Sequence, residues 1–239
     1  MTVDLFIPCF IDQLYPATAF SVVRILEKLG LDVNYNTKQT CCGQAAYNSG
    51  YRNEAREVAA KFITDFPHDR PVICPSASCA GFVRKHYPVL FENSSMPYDY
   101  KRICRNIFEF TDFIVNQLDT RDLDAEFEGT VTFHDSCAAL REYGIRNEPR
   151  ILLKHVKGLK LIEMEPSDEC CGFGGTFSVK FEPISTAMAE QKVERAMATG
   201  AEYIVSTEAS CLMHLDGYIR KHKLPVKTIH IADILATGC

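Results

Sequence analysis

A cysteine pattern occurs twice in this chain. The first copy is Cys9, Cys41-Cys42-Gly43 and Cys79; the second is Cys137, Cys170-Cys171-Gly172 and Cys211. Eight of the eleven cysteines thus form two sets of four, offset by about 130 positions in 239 residues. Thiolate is a soft donor for iron, zinc or copper. Two matched sets imply two metal or iron–sulfur sites on a duplicated scaffold, and the fold must bring distant loops together twice.

The spacing favours a cluster over a single ion. Structural zinc sites take paired ligands two to four residues apart. Here one cysteine precedes an adjacent pair by about thirty residues and another follows by more than thirty. Adjacent Cα atoms lie about 3.8 Å apart and their side chains diverge in extended chain, so neighbouring thiolates reach two irons of a cluster more easily than one ion. A vicinal disulfide would be strained at that separation. Zinc and metal-free redox thiols are the competing readings. Gly43, and the run Gly172-Phe173-Gly174-Gly175, would let backbone approach a cluster and donate N–H groups to its sulfurs. A phosphate loop would need the lysine and spacing of a P-loop, which are missing. A plain turn is the other alternative.

Both halves follow one plan. Val3–Pro8 reads as a strand ending at Cys9, and Pro16–Leu29 as a helix with Gly30 at its end. Leu31–Tyr35 is a second strand before the Cys41-Cys42 loop. Asn53–Phe66 is a second helix, with Ala55, Val58, Ala59, Phe62, Ile63 and Phe66 on one stripe. Pro71–Ile73 is a third strand running into Cys74-Pro75-Ser76-Ala77-Ser78-Cys79. The second half repeats this with Val131–Phe133, Leu159–Met164, a helix over Ser185–Thr199, and Tyr203–Ser206 before Cys211. The closing segments Ile107–Ile114 and Ile229–Leu235 also echo one another. The expected fold class is α/β: two pseudo-symmetric repeats, 1–122 and 128–239, each a mainly parallel sheet with flanking helices. The polar stretch Asp119–Glu128 is the expected seam. Ligands gather outside the carboxyl ends of parallel strands, so the cysteines should converge on one edge of each half.

A net charge of -5 without a basic run argues against nucleic-acid binding. No stretch approaches the roughly 18 apolar residues of a membrane span. The first residues look like a strand and lack a charged signal-peptide region, so a cytoplasmic protein is expected. There, cysteines serve more often as ligands or redox groups than as disulfides.

Four segments carry a family resemblance: Ile7-Pro8-Cys9-Phe10, Thr40-Cys41-Cys42-Gly43-Gln44, Cys74-Pro75-Ser76-Ala77-Ser78-Cys79, and Cys170-Cys171-Gly172-Phe173-Gly174-Gly175-Thr176-Phe177-Ser178-Val179-Lys180. His134-Asp135-Ser136-Cys137 and Cys211-Leu212-Met213-His214 add to it. Over essentially its whole length the chain resembles the CCG, or cysteine-rich, domain family. That family includes the cysteine-rich subunit of heterodisulfide reductase and iron–sulfur subunits of glycolate and glycerol-3-phosphate oxidising systems. The likeness is strongest to its two-repeat lactate-utilisation branch. The resemblance implies two [4Fe-4S]-type iron–sulfur clusters, non-cubane where five cysteines including a final Cys-x-x-Cys pair hold them. It implies an oxidoreductase subunit acting in the oxidation of L-lactate, a 2-hydroxy acid, to pyruvate. Its partners would be a ferredoxin-like iron–sulfur protein and a third small protein. A thiol–disulfide redox subunit and a non-catalytic metal-binding module are the rival functions.

The chain departs from the five-cysteine pattern. In the first half Cys74 stands further from Cys79, with Ser76 at the closer place. In the second half Ser206 and Glu208 stand at the corresponding places. Cys74 is therefore a fifth ligand or a core residue. The second site has either a four-thiolate cluster or an iron open to substrate. The metal-ligand candidates are Cys9, Cys41, Cys42, Cys74, Cys79, Cys137, Cys170, Cys171 and Cys211.

The candidates for chemistry at the second site are Cys211, His134, His214, Arg141 and Lys180. His134 is a core histidine or a donor and proton relay beside a cluster. His214 follows Cys211 by three residues and shares its helical face. Arg141 and Lys180 would offer a cation to a carboxylate, or are surface charges. His230 reads as core or cap, and Asp135 as a histidine partner or turn cap. Cys104 reads as a small buried hydrophobe, Cys239 as a mobile end, and Met188 and Met197 as packing.

Overall fold

The computed structural model describes residues 1–92 and 97–239, Pro97 by its backbone alone. The first repeat runs β1 (Thr2–Leu5), α1 (Cys9–Leu14), α2 (Pro16–Lys28), β2 (Asp32–Tyr35), α3 (Gln44–Asn48), α4 (Arg52–Asp65), β3 (Val72–Cys74), α5 (Ala77–Leu90), α6 (Pro97–Asn106), β4 (Ile107–Glu109) and the short α7 (Phe110–Asp112). The second runs β5 (Glu126–Phe133), α8 (Asn147–Leu153), β6 (Lys157–Leu161), α9 (Thr176–Lys180), α10 (Glu182–Ala198), β7 (Tyr203–Ser206), α11 (Ala209–His222), β8 (Lys227–His230) and α12 (Ile231–Leu235). Two π-helical turns, Phe113–Gln117 and Ala139–Tyr143, lie around the junction.

Each repeat holds one four-stranded, wholly parallel sheet. The orders are β2-β1-β3-β4 and β6-β5-β7-β8. The fold class read from the sequence is the one observed. In both sheets the chain leaves the first strand toward one side and returns on the other. A topological switch therefore lies between β1 and β3, and again between β5 and β7. Loops leaving the carboxyl ends of such a strand pair splay apart and open a crevice. Cys9 and Cys79 follow one pair, Cys137 and Cys211 the other.

The helices form where the apolar spacing demands. In α2, Pro16 begins the first turn, and Val22, Ile25 and Leu26 are buried at helical spacing. In α4 the buried residues are Ala55, Ala59, Phe62 and Ile63. The observed α10 starts earlier than Ser185, because Pro183 fits a first helical turn, where its missing N–H costs nothing. The third strand includes Cys74, so that thiol is fixed by the sheet. β5 begins at Glu126, inside the polar stretch, because Leu123 and Ala125 are already buried and pull the chain into the core.

One core spans both sheets. Val3, Leu5, Ile25 and Ile73 pack in the same cluster as Val131, Phe133, Val205, Ile231 and Leu235. Fully burying each such side chain contributes about 1.5–3 kcal/mol. Polar ties cross the same junction: Thr18 Oγ1 donates to Asp233 Oδ2 at 2.7 Å, and Tyr143 Oη to Asp112 Oδ2 at 2.5 Å. Two smaller clusters lie under the cysteine loops, one per repeat.

Candidate metal centre

The two thiol sets face a single cavity of about 610 Å³. Cys9, Cys41, Cys42 and Cys79 line it from one repeat; Cys137, Cys170, Cys171 and Cys211 line it from the other. All eleven cysteines are free thiols. Within the first set Cys42 Sγ lies 3.4 Å from Cys79 Sγ. That distance is thiol contact, far beyond the roughly 2.05 Å of a disulfide.

Local structure fixes each thiol. Cys9 opens α1 directly after β1, and Cys79 sits in the first turn of α5, whose cap is the buried Ser76. Ser136 Oγ accepts from Ala139 N at 3.1 Å and holds the turn carrying Cys137. The adjacent pairs are set by Gly43 and Gly172, both at φ 93. Each turns its N–H back onto the first thiol of its pair: Gly43 N lies 3.4 Å from Cys41 Sγ, and Gly172 N 3.4 Å from Cys170 Sγ. A side chain would fit neither position. A Cβ on Gly172 would stand 2.5 Å from the Ser185 carbonyl, and one on Gly43 3.1 Å from the Ala55 carbonyl. Gly174 and Gly175 line the cavity itself.

Crowding shows in the protonation of the thiols. Hydrogen bonds from Cys42 and then Cys9 draw Cys41 down to about 2. Hydrogen bonds from Cys137 and then Cys171 draw Cys170 down to about 2. Cys42 is pushed up by its bonds to Cys41 and Cys79 and by burial, and Cys171 likewise by Cys170 and Cys211. Each set thus holds a ready thiolate beside thiols that share its proton. A bound cation would release those remaining protons. The donor chemistry suits iron–sulfur ligation, and the glycine N–H groups already point at sulfur.

Cys74 is fully buried, its Sγ directed at Ser76 O at 3.4 Å and also in contact with Cys79. It approaches the first set from beneath the cavity. His134 stands beneath the second set. It is completely buried, and neither ring nitrogen has a hydrogen-bond partner. Burial, then the nearby Lys192 ammonium, push it down to about 3, so the imidazole is neutral. One donor atom each from His134, Cys171 and Cys211 lie within 4.8 Å of one another.

The other candidates lie elsewhere. His214 packs behind the Cys170-Cys171 loop, its Nε2 3.1 Å from Ser185 Oγ, which donates in turn to Gly172 O at 2.8 Å. Arg141 and Lys180 are exposed and outside the cavity lining. Asp135 neither orients a histidine nor caps a turn. It takes a two-pronged ion pair from Arg150 at 2.8 and 2.7 Å, because α8 brings that guanidinium against the end of β5. His230 is a buried cap, as expected: Nδ1 accepts from Ala232 N at 3.2 Å, and Nε2 donates to Pro75 O at 3.2 Å. Cys104 is half-buried and donates to Val83 O, away from both sets.

Two buried residues have roles that the sequence reading does not assign. Glu208 stands where the repeats meet. It accepts from Ser76 Oγ at 3.0 Å, Ser78 N at 2.9 Å and Ser210 Oγ at 2.9 Å, and burial raises its carboxyl above the usual range. Lys192 is 1% exposed and donates to Ser167 O at 2.8 Å. Counting back from the last cysteine of each set places Glu208 where the first repeat has Ser76, and matching the helices packed on Gly43 and Gly172 places Lys192 where it has Phe62.

Residues 3–84 and 131–216 match the family described as CCG, cysteine-rich domain. The chain is 39% identical over 236 residues to lactate utilization protein A of Anoxybacillus flavithermus, covering 98% of this chain and 99% of that one. It is 40% identical over 236 residues to lactate utilization protein A of a Geobacillus species, with coverage of 98% and 99%. Lactate utilization protein A 1 of Bacillus anthracis is 38% identical over 239 residues, covering 100% of this chain and 99% of that one. A hypothetical protein from Helicobacter pylori shares the fold, with a TM-score of 0.58 at 12% identity over 100% of this chain and 49% of its own. Two matched segments in register with the two sheets, and near-complete alignment with these relatives, place this chain in the cysteine-rich (CCG) domain family.

Proposed function

We propose that the chain is the iron–sulfur redox subunit of a cytoplasmic complex that oxidises L-lactate to pyruvate. The observation that carries this reading is the convergence of two four-thiol sets on one cavity. Its likeness to proteins named for lactate utilization supports the substrate. Cys9, Cys41, Cys42 and Cys79, joined by Cys74, would hold one [4Fe-4S]-type group. Cys137, Cys170, Cys171 and Cys211 would hold the other. Such groups, when bound, store and pass single electrons.

Lactate gives up two electrons and two protons on becoming pyruvate, so two one-electron centres beside one cavity match the stoichiometry. The electrons would leave to a ferredoxin-like partner, with a third small protein completing the set. Glu208, buried at the cavity wall between the thiol sets, is a proton-accepting group within that lining.

One observation favours a second reading. Among the described residues the cavity lining contains Glu142 and Glu208 but no lysine or arginine. An anionic 2-hydroxy acid would then depend on iron or on a partner for its counter-charge, whereas a neutral disulfide would not. The deciding experiment uses the anaerobically assembled complex. Lactate, and not thiols, should perturb the paramagnetic spectrum, and Cys211→Ser should abolish lactate turnover. Unchanged turnover in that variant would eliminate the second thiol set as the place of substrate chemistry. A spectrum that responds to thiols alone would support the disulfide reading.

A further inference from the structure

The repeats differ beneath their thiol sets. In the first, Phe6 and Phe62 meet edge to face with ring centroids 4.7 Å apart. Counting from Cys9 and Cys137, Phe6 corresponds to His134. The backbone agrees: Phe6 N donates to Ile73 O at 2.9 Å, and His134 N to Val205 O at 2.8 Å. Phe62 corresponds to Lys192, because Ala55 and Val58 face Gly43 as Ser185 and Met188 face Gly172. An apolar pair has thus become a buried imidazole and a buried ammonium.

Filling the core does not require this. Phenylalanine fills the same place in the first repeat. A neutral imidazole carries one N–H donor and one acceptor nitrogen. Leaving both without partners in the interior destabilises the fold. Lys192 Nζ donates to Ser167 O at 2.8 Å and Pro166 O at 3.5 Å, and not to His134. Ser206, at the place of Cys74, donates to the His134 carbonyl at 2.9 Å and offers nothing to the ring. One of the unpartnered nitrogens does have thiol neighbours: it, Cys171 Sγ and Cys211 Sγ lie within 4.8 Å of one another.

We propose that His134 supplies a nitrogen ligand to the iron–sulfur group held by the second thiol set, in the role that the Cys74 thiol takes beneath the first. This rests on the iron–sulfur reading given above. The first centre is then ligated by sulfur alone and the second by sulfur and one neutral nitrogen. Exchanging thiolate for imidazole removes negative charge from the ligand set and raises the reduction potential. Cys137, Cys170, Cys171, Cys211 and His134 would then hold the group of higher potential.

The test is pulsed paramagnetic resonance on anaerobic protein labelled with ¹⁵N-histidine, beside unlabelled protein. Iron and sulfide are quantified on the same samples. The expected result is a strongly coupled nitrogen that changes isotope with the label. It should be absent from His134→Phe, which copies the first repeat and leaves that centre's signal intact. His134→Cys should bind iron without nitrogen coupling, and its second centre should titrate at lower potential. Wild-type protein that holds iron and sulfide but shows no strongly coupled histidine nitrogen would overturn the ligand and leave the clusters standing. Persistence of the coupling in His134→Phe would do the same. Protein without iron and sulfide would overturn the cluster reading itself, and the ligand with it.

Discussion

The two repeats share strands, sheet order, thiol spacing and the turn glycines, yet they differ in what lies under the thiols. The first rests on aromatic packing, with Phe6, Phe62, Phe66 and Tyr87 in contact around it. The second rests on His134 and Lys192, and His214 occupies the place of Phe82. Duplication preserved the geometry that gathers thiols and released the surroundings that tune them. A buried charge or an unpartnered imidazole weakens a core, so its retention points to the chemistry above it.

The largest effects should come from the thiols. Cys42→Ser should remove the iron of the first repeat alone, and Cys171→Ser that of the second alone. Each variant should retain about half of the iron in anaerobic preparations. Loss of all iron from either would show that the sets are not independent. Next come the underlying packing residues. Phe62→Ala should cost about 3–5 kcal/mol of stability in denaturant unfolding. Lys192→Met should cost about 1 kcal/mol, the net worth of its hydrogen bond to Ser167. Equal losses at the two positions would erase the contrast.

The fold was legible because its signals are local and repeated. The stripe Ala55, Ala59, Phe62, Ile63 marks α4, and Cys9 and Cys137 each close a short apolar strand, so the parallel plan follows from the order of elements. Convergence of the cysteines on strand ends was legible for the same reason. The single shared cavity was not, since it depends on how the sheets pack through Val3, Phe110, Val131 and Ile231. The role of Glu208 was hidden because its hydrogen bonds run to Ser76 and Ser78, more than a hundred residues away. Arg150 was hidden likewise, as its role depends on α8 docking against Asp135.

The caps of α7 and α12 sharpen the comparison through pH. Glu109 caps α7, accepting from Thr111 N at 2.7 Å and Asp112 N at 3.1 Å, and burial raises it from 4.5 to about 8. The unfolded chain gives up this proton first, so stability falls as pH rises between those values, by a few kcal/mol on the order of 1.4 per unit. His230 caps α12 and is held below 6.5 by burial. Below that value the unfolded chain binds a proton that the folded chain excludes, so stability falls as pH drops. Glu109→Gln should flatten the alkaline side of the curve and His230→Asn the acid side. A curve unchanged by both would remove these groups from the account. The smallest effects belong to Arg141→Ala and Lys180→Ala, which should change stability by less than about 0.5 kcal/mol and leave iron content unaltered. A large loss of lactate turnover in either would return it to the substrate site.

Iron and acid-labile sulfide, counted per chain in protein purified without oxygen, test the central claim most directly. Two four-iron groups require about eight of each. Zinc without sulfide would contradict the account, because thiols that gather around a lone ion have no inorganic sulfur to hold.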